Sequence, residues 1–179
     1  MTSLSRSGRR AAGAVLAAVG ALAALSACAP AGSRSDDRVQ IRATAEEYMR
    51  AWLDKPSDPR AMCRLQAPQM RPNYPADGGT RSGCIARYRQ WFADQDSDAS
   101  RGRLAIGVAR VQPIRATATR PAGRGVLVAL QRTGEQPYRY ALRLVDDGGR
   151  WRIAQSEPVN NSLYRHAEDP VGVVLERAE

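Results

Sequence analysis

Residues 138–158 read "YRYALRLVDDGGRWRIAQSEP", and this stretch decides the fold class. Tyr138, Tyr140, Leu142 and Leu144 fall on alternate positions, with Arg139 and Arg143 between them. That period of two is a strand. Asp146 to Gly149 then form a turn signal, and Trp151, Ile153 and Gln155 resume the alternation on a last strand. Two antiparallel strands joined by a hairpin follow from these residues alone.

Working outward, "RLAIGVARV" (103–111) and "GVLVALQR" (125–132) also have a strand's length and pattern. Between them "QPIRATATRPAGRG" (112–125) is proline-broken and longer than a tight hairpin, which leaves the boundaries of the second strand open. Upstream the period becomes helical. Ile41, Ala45, Tyr48, Met49, Trp52 and Leu53 lie on one face of a helix of about four turns that begins near Val39 and ends by Pro56. Asp58-Pro59 offers an N-cap followed by proline at the first helical position, opening a short helix through Ala61, Met62 and Leu65. Ile85, Tyr88 and Phe92 mark a third helix over 82–93. Helices first and an antiparallel sheet after them give an α+β class.

The N-terminus carries an address. Arg6, Arg9 and Arg10, with no acid, precede an apolar run from Ala11 to Leu25 that is closed by small residues, the plan of an export signal. The run is mostly alanine and glycine, too weakly apolar for a spanning helix of about 20 residues. Leu25-Ser26-Ala27-Cys28 resembles the lipobox of bacterial lipoproteins. The resemblance implies that residues 1–27 are removed, that Cys28 carries a thioether-linked diacylglycerol, and that the protein sits on the extracytoplasmic face of the cell membrane. Two acyl chains anchor stably where one does not. Residues 28–37 read as a lipidated tether, 38–157 as the folded domain and 158–179 as a C-terminal tail. With Cys28 committed to lipid, Cys63 and Cys84 remain as an even pair in a compartment where disulfides persist. They are expected to bond, stapling the second helix to the third.

The order of elements, the aromatic first helix "EEYMRAWLD" (46–54) and the hairpin "DDGGRWRI" (146–153) resemble the nuclear-transport-factor-2-like superfamily, which includes ketosteroid isomerases and polyketide cyclases. The resemblance implies three helices packed in the hollow of a strongly curved, cone-like sheet. The cysteine pair is similar to that of actinobacterial lipoproteins of this superfamily.

Enzymes of the superfamily use a carboxylate or histidine projecting into the cone, because general acid–base work needs a group within hydrogen-bond reach of the substrate. None stands on the inward face of the strands, and Glu46 and Glu47, which flank the apolar stripe of the first helix, fall toward its solvated side. The sheet half has its acids at turns and at a strand exit, and the single histidine, His166, lies in the tail. No cluster of metal ligands and no nucleophilic triad stands in the sequence, so neither catalytic residue, metal nor cofactor is assigned. A non-catalytic binding or protein-interaction module is the first expectation, and a small-molecule isomerase or cyclase the alternative.

Tyr48, Trp52, Tyr88, Tyr138, Tyr140 and Trp151 either line a small apolar pocket or form ordinary core. Of the chain's 27 basic residues only Lys55 is lysine, and 11 arginines against four acids fall within 101–157. Arg139, Arg143, Arg150 and Arg152 share a sheet face as either a basic contact surface or a solvated outer face. As a contact surface it would meet an anionic surface or an acidic partner protein. A homodimer through the sheet face is a further expectation. Nucleic acid is not expected outside the cell, and the patch lacks interleaved exposed aromatics. The apolar run from Val171 to Leu175 either packs back on the sheet or docks on a partner.

Overall fold

The computed structural model describes residues 33–54, 56–68, 70, 80–93, 103–159, 164 and 167–177. Cys28, the signal segment and His166 lie outside the described residues. From Ala31 onward the chain forms one compact unit.

Three helices come first: α1 (Ser33–Leu53), α2 (Pro59–Leu65) and α3 (Arg81–Ala93). α1 starts at Ser33, so it takes residues 33–37 from the expected tether. Serine and aspartate suit a first turn as well as they suit coil, which is why composition alone does not separate the two. In α2, Asp58 is the N-cap, its carboxylate accepting from the amides of Arg60 and Ala61, each at 3.0 Å. Thr80 caps α3 through its hydroxyl, which accepts from the Gly83 amide at 3.1 Å. Cys63 and Cys84 form a disulfide that joins α2 to the first turn of α3.

The strands follow as a meander: β1 (Leu104–Ile114), β2 (Gly123–Arg132), β3 (Tyr138–Asp146) and β4 (Trp151–Pro158) form one open antiparallel sheet in the order β1-β2-β3-β4. β1 runs on through Pro113, which faces Arg124. An edge strand tolerates that proline because its outer ladder has no partner to lose. Gly148 and Gly149 adopt φ of 63° and 82° in the β3–β4 turn, a conformation that residues with a Cβ rarely take. The Asp146 carboxylate closes the turn by accepting from the Gly149 amide at 2.7 Å.

Alternation assigns the two faces. Val126, Val128, Leu130, Leu142, Leu144 and Ile153 meet Ile41, Ala45, Tyr48 and Met49 of α1, Met62 and Leu65 of α2, and Tyr88 and Phe92 of α3. Ile114, Leu127 and Ala141 point the other way, where the tail returns as a fourth helix, α4 (Pro170–Arg177). Its Val171, Val174 and Leu175 are buried there, worth on the order of 1.5–3 kcal/mol each. The apolar run of the tail therefore packs back on the sheet. Asp169 caps α4, accepting from the Gly172 amide at 3.1 Å, and takes two bonds from Gln112 Nε2 of β1 at 2.8 and 2.9 Å.

A register shift between Arg143 and Leu144 pairs Leu144 with Ile153 but Arg143 with Gln155. Simple alternation places Trp151, Ile153 and Gln155 together. The bulge instead turns Gln155 to the face of Arg143, whose Nε donates to Gln155 Oε1 at 3.3 Å. A bulge inserts one unpaired residue and reverses the parity beyond it.

α1 runs along the sheet, and this gives the unit two distinct ends. At one, Trp151 Nε1 in β4 donates to Asp37 of α1 at 3.2 Å, beside the β1–β2 loop (115–122) and the β3–β4 turn. At the other, Arg132 at the end of β2 reaches Leu53, the last residue of α1.

Candidate functional site

The six aromatic residues that the sequence leaves as either pocket lining or ordinary core separate into three groups. Tyr48 and Tyr88 are core, 2% and 3% exposed, and the Tyr88 hydroxyl accepts from Gln66 Nε2 at 2.6 Å. Trp151 stands at the Asp37 end of the unit. Trp52, Tyr138 and Tyr140 come together at the opposite end, where the last turn of α1 meets the start of β3. The Trp52 ring lies edge-on to Tyr140 with centroids 5.2 Å apart, and Tyr138 lies edge-on to Tyr140 at 6.2 Å. These edge-to-face arrangements suit ring quadrupoles.

Trp91 of α3 completes this group and was not expected from the sequence. Its ring lies 6.4 Å from Trp52, 6.0 Å from Tyr88 and 5.1 Å from Phe92, yet it is 44% exposed. The signal was its position three residues after Tyr88, next to the buried face of α3. The result is an aromatic surface continuous with the core, formed by Trp52, Trp91, Tyr138 and Tyr140. Burial, with the neighbouring Tyr138 second, pushes the Tyr140 hydroxyl above the ordinary phenol range.

The expected basic face does not form as a solvated patch. Arg143 is fully buried, because the β1–β2 loop and α4 cover it. Its Nη1 donates to the carbonyls of Arg115 and Pro121 at 2.8 and 3.0 Å, and its Nη2 to that of Leu175 in α4 at 3.1 Å. Arg152 is half-buried, donating to the Arg64 carbonyl in the last turn of α2 and pairing with Asp147 at 3.4 Å. Arg139, at the start of β3, and Arg150, in the β3–β4 turn, stand at opposite ends of the sheet.

Arg132, Arg143 and Arg152 share a job that the sequence does not announce. Each reaches from a strand to a carbonyl in the last turn of a helix, α1, α4 and α2 respectively. Those carbonyls have no partner within their helix and carry the negative end of its dipole, which a cation stabilises. Three of the 11 arginines in 101–157 are therefore structural.

A cleft of about 430 Å³ lies between α1, α2 and the β3–β4 turn, lined by Thr44, Glu47, Arg64, Arg150, Trp151 and Arg152 among others. An ion pair between Arg64 and Glu47 spans its wall. Among the described residues no group of three or more His, Cys, Asp or Glu is placed to hold a metal, and no helix is long and apolar enough to cross a membrane. Glu47 is exposed in that ion pair, and Glu46 is half-buried. No protein-family model, curated protein or solved structure matches this chain.

Proposed function

We propose that this chain is a lipoprotein anchored through diacylglycerol on Cys28 to the extracytoplasmic face of the cell membrane, carrying a nuclear-transport-factor-2-like domain that acts as a non-catalytic binding module. Two bulges in the sheet, at Val108/Arg110 and Arg143/Leu144, suit the strongly bent, cone-like sheet of that superfamily. The space between helices and sheet is occupied by buried side chains such as Tyr48, Met49 and Leu142, which favours the outer surfaces over an internal pocket.

The observation that carries the reading is Trp91. A tryptophan 44% exposed and joined through Trp52 to Tyr140 is an anchor for the apolar part of a ligand or partner protein. A homodimer contact would use the strip of the outer sheet face that α4 leaves open, where Gly107 pairs with Ala129.

Two measurements test the reading. Fractionation of cells expressing Cys28→Ala is expected to move the protein out of the membrane fraction, and firm retention would remove the anchor. The fluorescent probe anilinonaphthalene sulfonate is expected to brighten on the native chain and to lose most of that signal in Trp91→Ala. An unchanged signal in that variant would remove the aromatic surface.

The alternative, a small-molecule isomerase or cyclase, draws on Tyr140, whose raised pKa keeps a phenol protonated as a hydrogen-bond donor. Turnover of a β,γ-unsaturated ketone that is lost in Tyr140→Phe would establish it.

A further inference from the structure

α1 begins at Ser33, five residues beyond Cys28 in the sequence. Extended chain covers at most about 3.6 Å per residue, so the chain allows at most roughly 18 Å between the backbone of Cys28 and that of Ser33. α1 itself is 21 residues long, about 30 Å at 1.5 Å per residue. The end of the unit near Asp37 is therefore held at the anchor, and the end near Leu53 is not.

Both ends carry arginines, but only the one near Asp37 is held at the anchor. Near Asp37, the guanidinium groups of Arg38, Arg115, Arg124 and Arg150 have no partner among the described residues. Of the acids at that end, Asp37 accepts from Trp151, Asp146 from the Gly149 amide, and Asp147 pairs with Arg152, while Asp36 and, at the end of α4, Glu176 are exposed. Val39, 68% exposed, stands beside Arg38. At the far end Asp54, Asp58 and Glu135 stand among Arg50, Arg60, Arg103, Arg132 and Arg139, with Asp54 near Arg50 and Glu135 near Arg132. Attraction to an anionic leaflet decays within about 8–10 Å at physiological salt, so only the near end feels it.

We propose that the anchored chain stands on the bilayer by this end, with Arg38, Arg115, Arg124 and Arg150 in an anionic head-group layer, and presents the Trp91 surface away from the membrane. The inference rests on the Cys28 anchor. It adds an orientation that the anchor alone does not impose, because a single short tether leaves the unit free to tilt.

The test uses the lipidated full chain in vesicles that carry a head-group quencher. Cys63 and Cys84 are bonded to each other and Cys28 is acylated, so one introduced thiol labels selectively. A fluorophore at Ala118→Cys in the β1–β2 loop is expected to be quenched in anionic vesicles, and one at Gln136→Cys in the β2–β3 turn is not. Quenching at 118 should fall by about twofold or more in about 1 M salt, where the screening length shrinks to roughly 3 Å, and also when the four arginines become glutamine. Equal quenching at 118 and 136, or quenching at 118 that ignores both salt and the arginines, overturns the orientation while the anchor stands. Failure of the parent chain to float with the vesicles overturns the anchor, and the orientation falls with it.

Discussion

Arg132, at the end of β2, donates from Nη2 to the carbonyl oxygen of Leu53, the last residue of α1, at 2.7 Å. The bond joins residues 79 apart in the sequence, and the Arg132 side chain is 5% exposed. A charge-assisted bond of this kind contributes about 1.5–3 kcal/mol. Arg132→Gln should therefore lower the unfolding free energy by about 2 kcal/mol, read as a reduced urea midpoint at unchanged slope. Arg132→Lys should recover only part of it, because an ammonium lacks the guanidinium's fork of donors. A change below about 0.5 kcal/mol, the usual scale of a surface substitution, would show that the cap does not bear on stability.

Arg143→Met should act locally as well as globally. It leaves the carbonyls of Arg115, Pro121 and Leu175 without their donor, and each buried unpaired group costs about 1–3 kcal/mol. Amide exchange over α4 should accelerate more than exchange in β2 and β3. Uniform acceleration across the sheet would mean that Arg143 does not hold α4 in place.

Gly125 lies where α4 crosses β2. A Cβ there would sit against Ile114 Cγ1 and 2.6 Å from Val171 Cγ1, closer than carbon atoms pack. Gly125→Ala should cost about 1–3 kcal/mol as overpacking, whereas Gly107→Ala, with nothing within 4 Å of its Cβ, should cost less than about 1 kcal/mol. Thermal unfolding of the two variants side by side measures the difference.

The disulfide closes a loop across a separation of 21 residues. In the chain-entropy account such a loop contributes about 3 kcal/mol. The double variant Cys63→Ala/Cys84→Ala should lose about that much, and α3 should become the first target of limited proteolysis. Peptide mapping without reductant should recover the two cysteines as one linked pair.

Tyr140 carries a pH prediction. Its pKa is raised by burial, so the folded state holds the phenolic proton more tightly than the unfolded chain does. Stability from this group is present below the unfolded pKa of about 10 and is lost as pH rises through the higher folded value. Absorbance titration should show one phenol ionising late, and Tyr140→Phe should remove it together with part of the alkaline loss of stability.

Local pattern carried much of the fold. The helical spacing of Ile41, Ala45, Tyr48 and Met49, the Asp58-Pro59 cap and the Asp-Gly turn at 147–148 act within a few residues, and each stands where its pattern places it. What was illegible depends on distant partners. The bulge that turns Gln155 over has no residue signature, and alternation counts straight through it. The burial of Arg143 depends on three carbonyls contributed by a loop and by α4, so its composition read as surface. Trp91 falls outside the helical pattern because its ring belongs partly to the core and partly to solvent.

The helix caps also set an order of events. The C-terminal turns of α1 and α2 are closed by Arg132 and Arg152, contributed 79 and 88 residues later. A chain emerges N-terminus first, so both helices are made long before their caps exist. Short helices are marginal without tertiary support. The end of α1 must therefore wait, fraying, for β2 and the end of α2 for β4, and a chain truncated before Arg152 would leave α2 unsealed even with its disulfide formed.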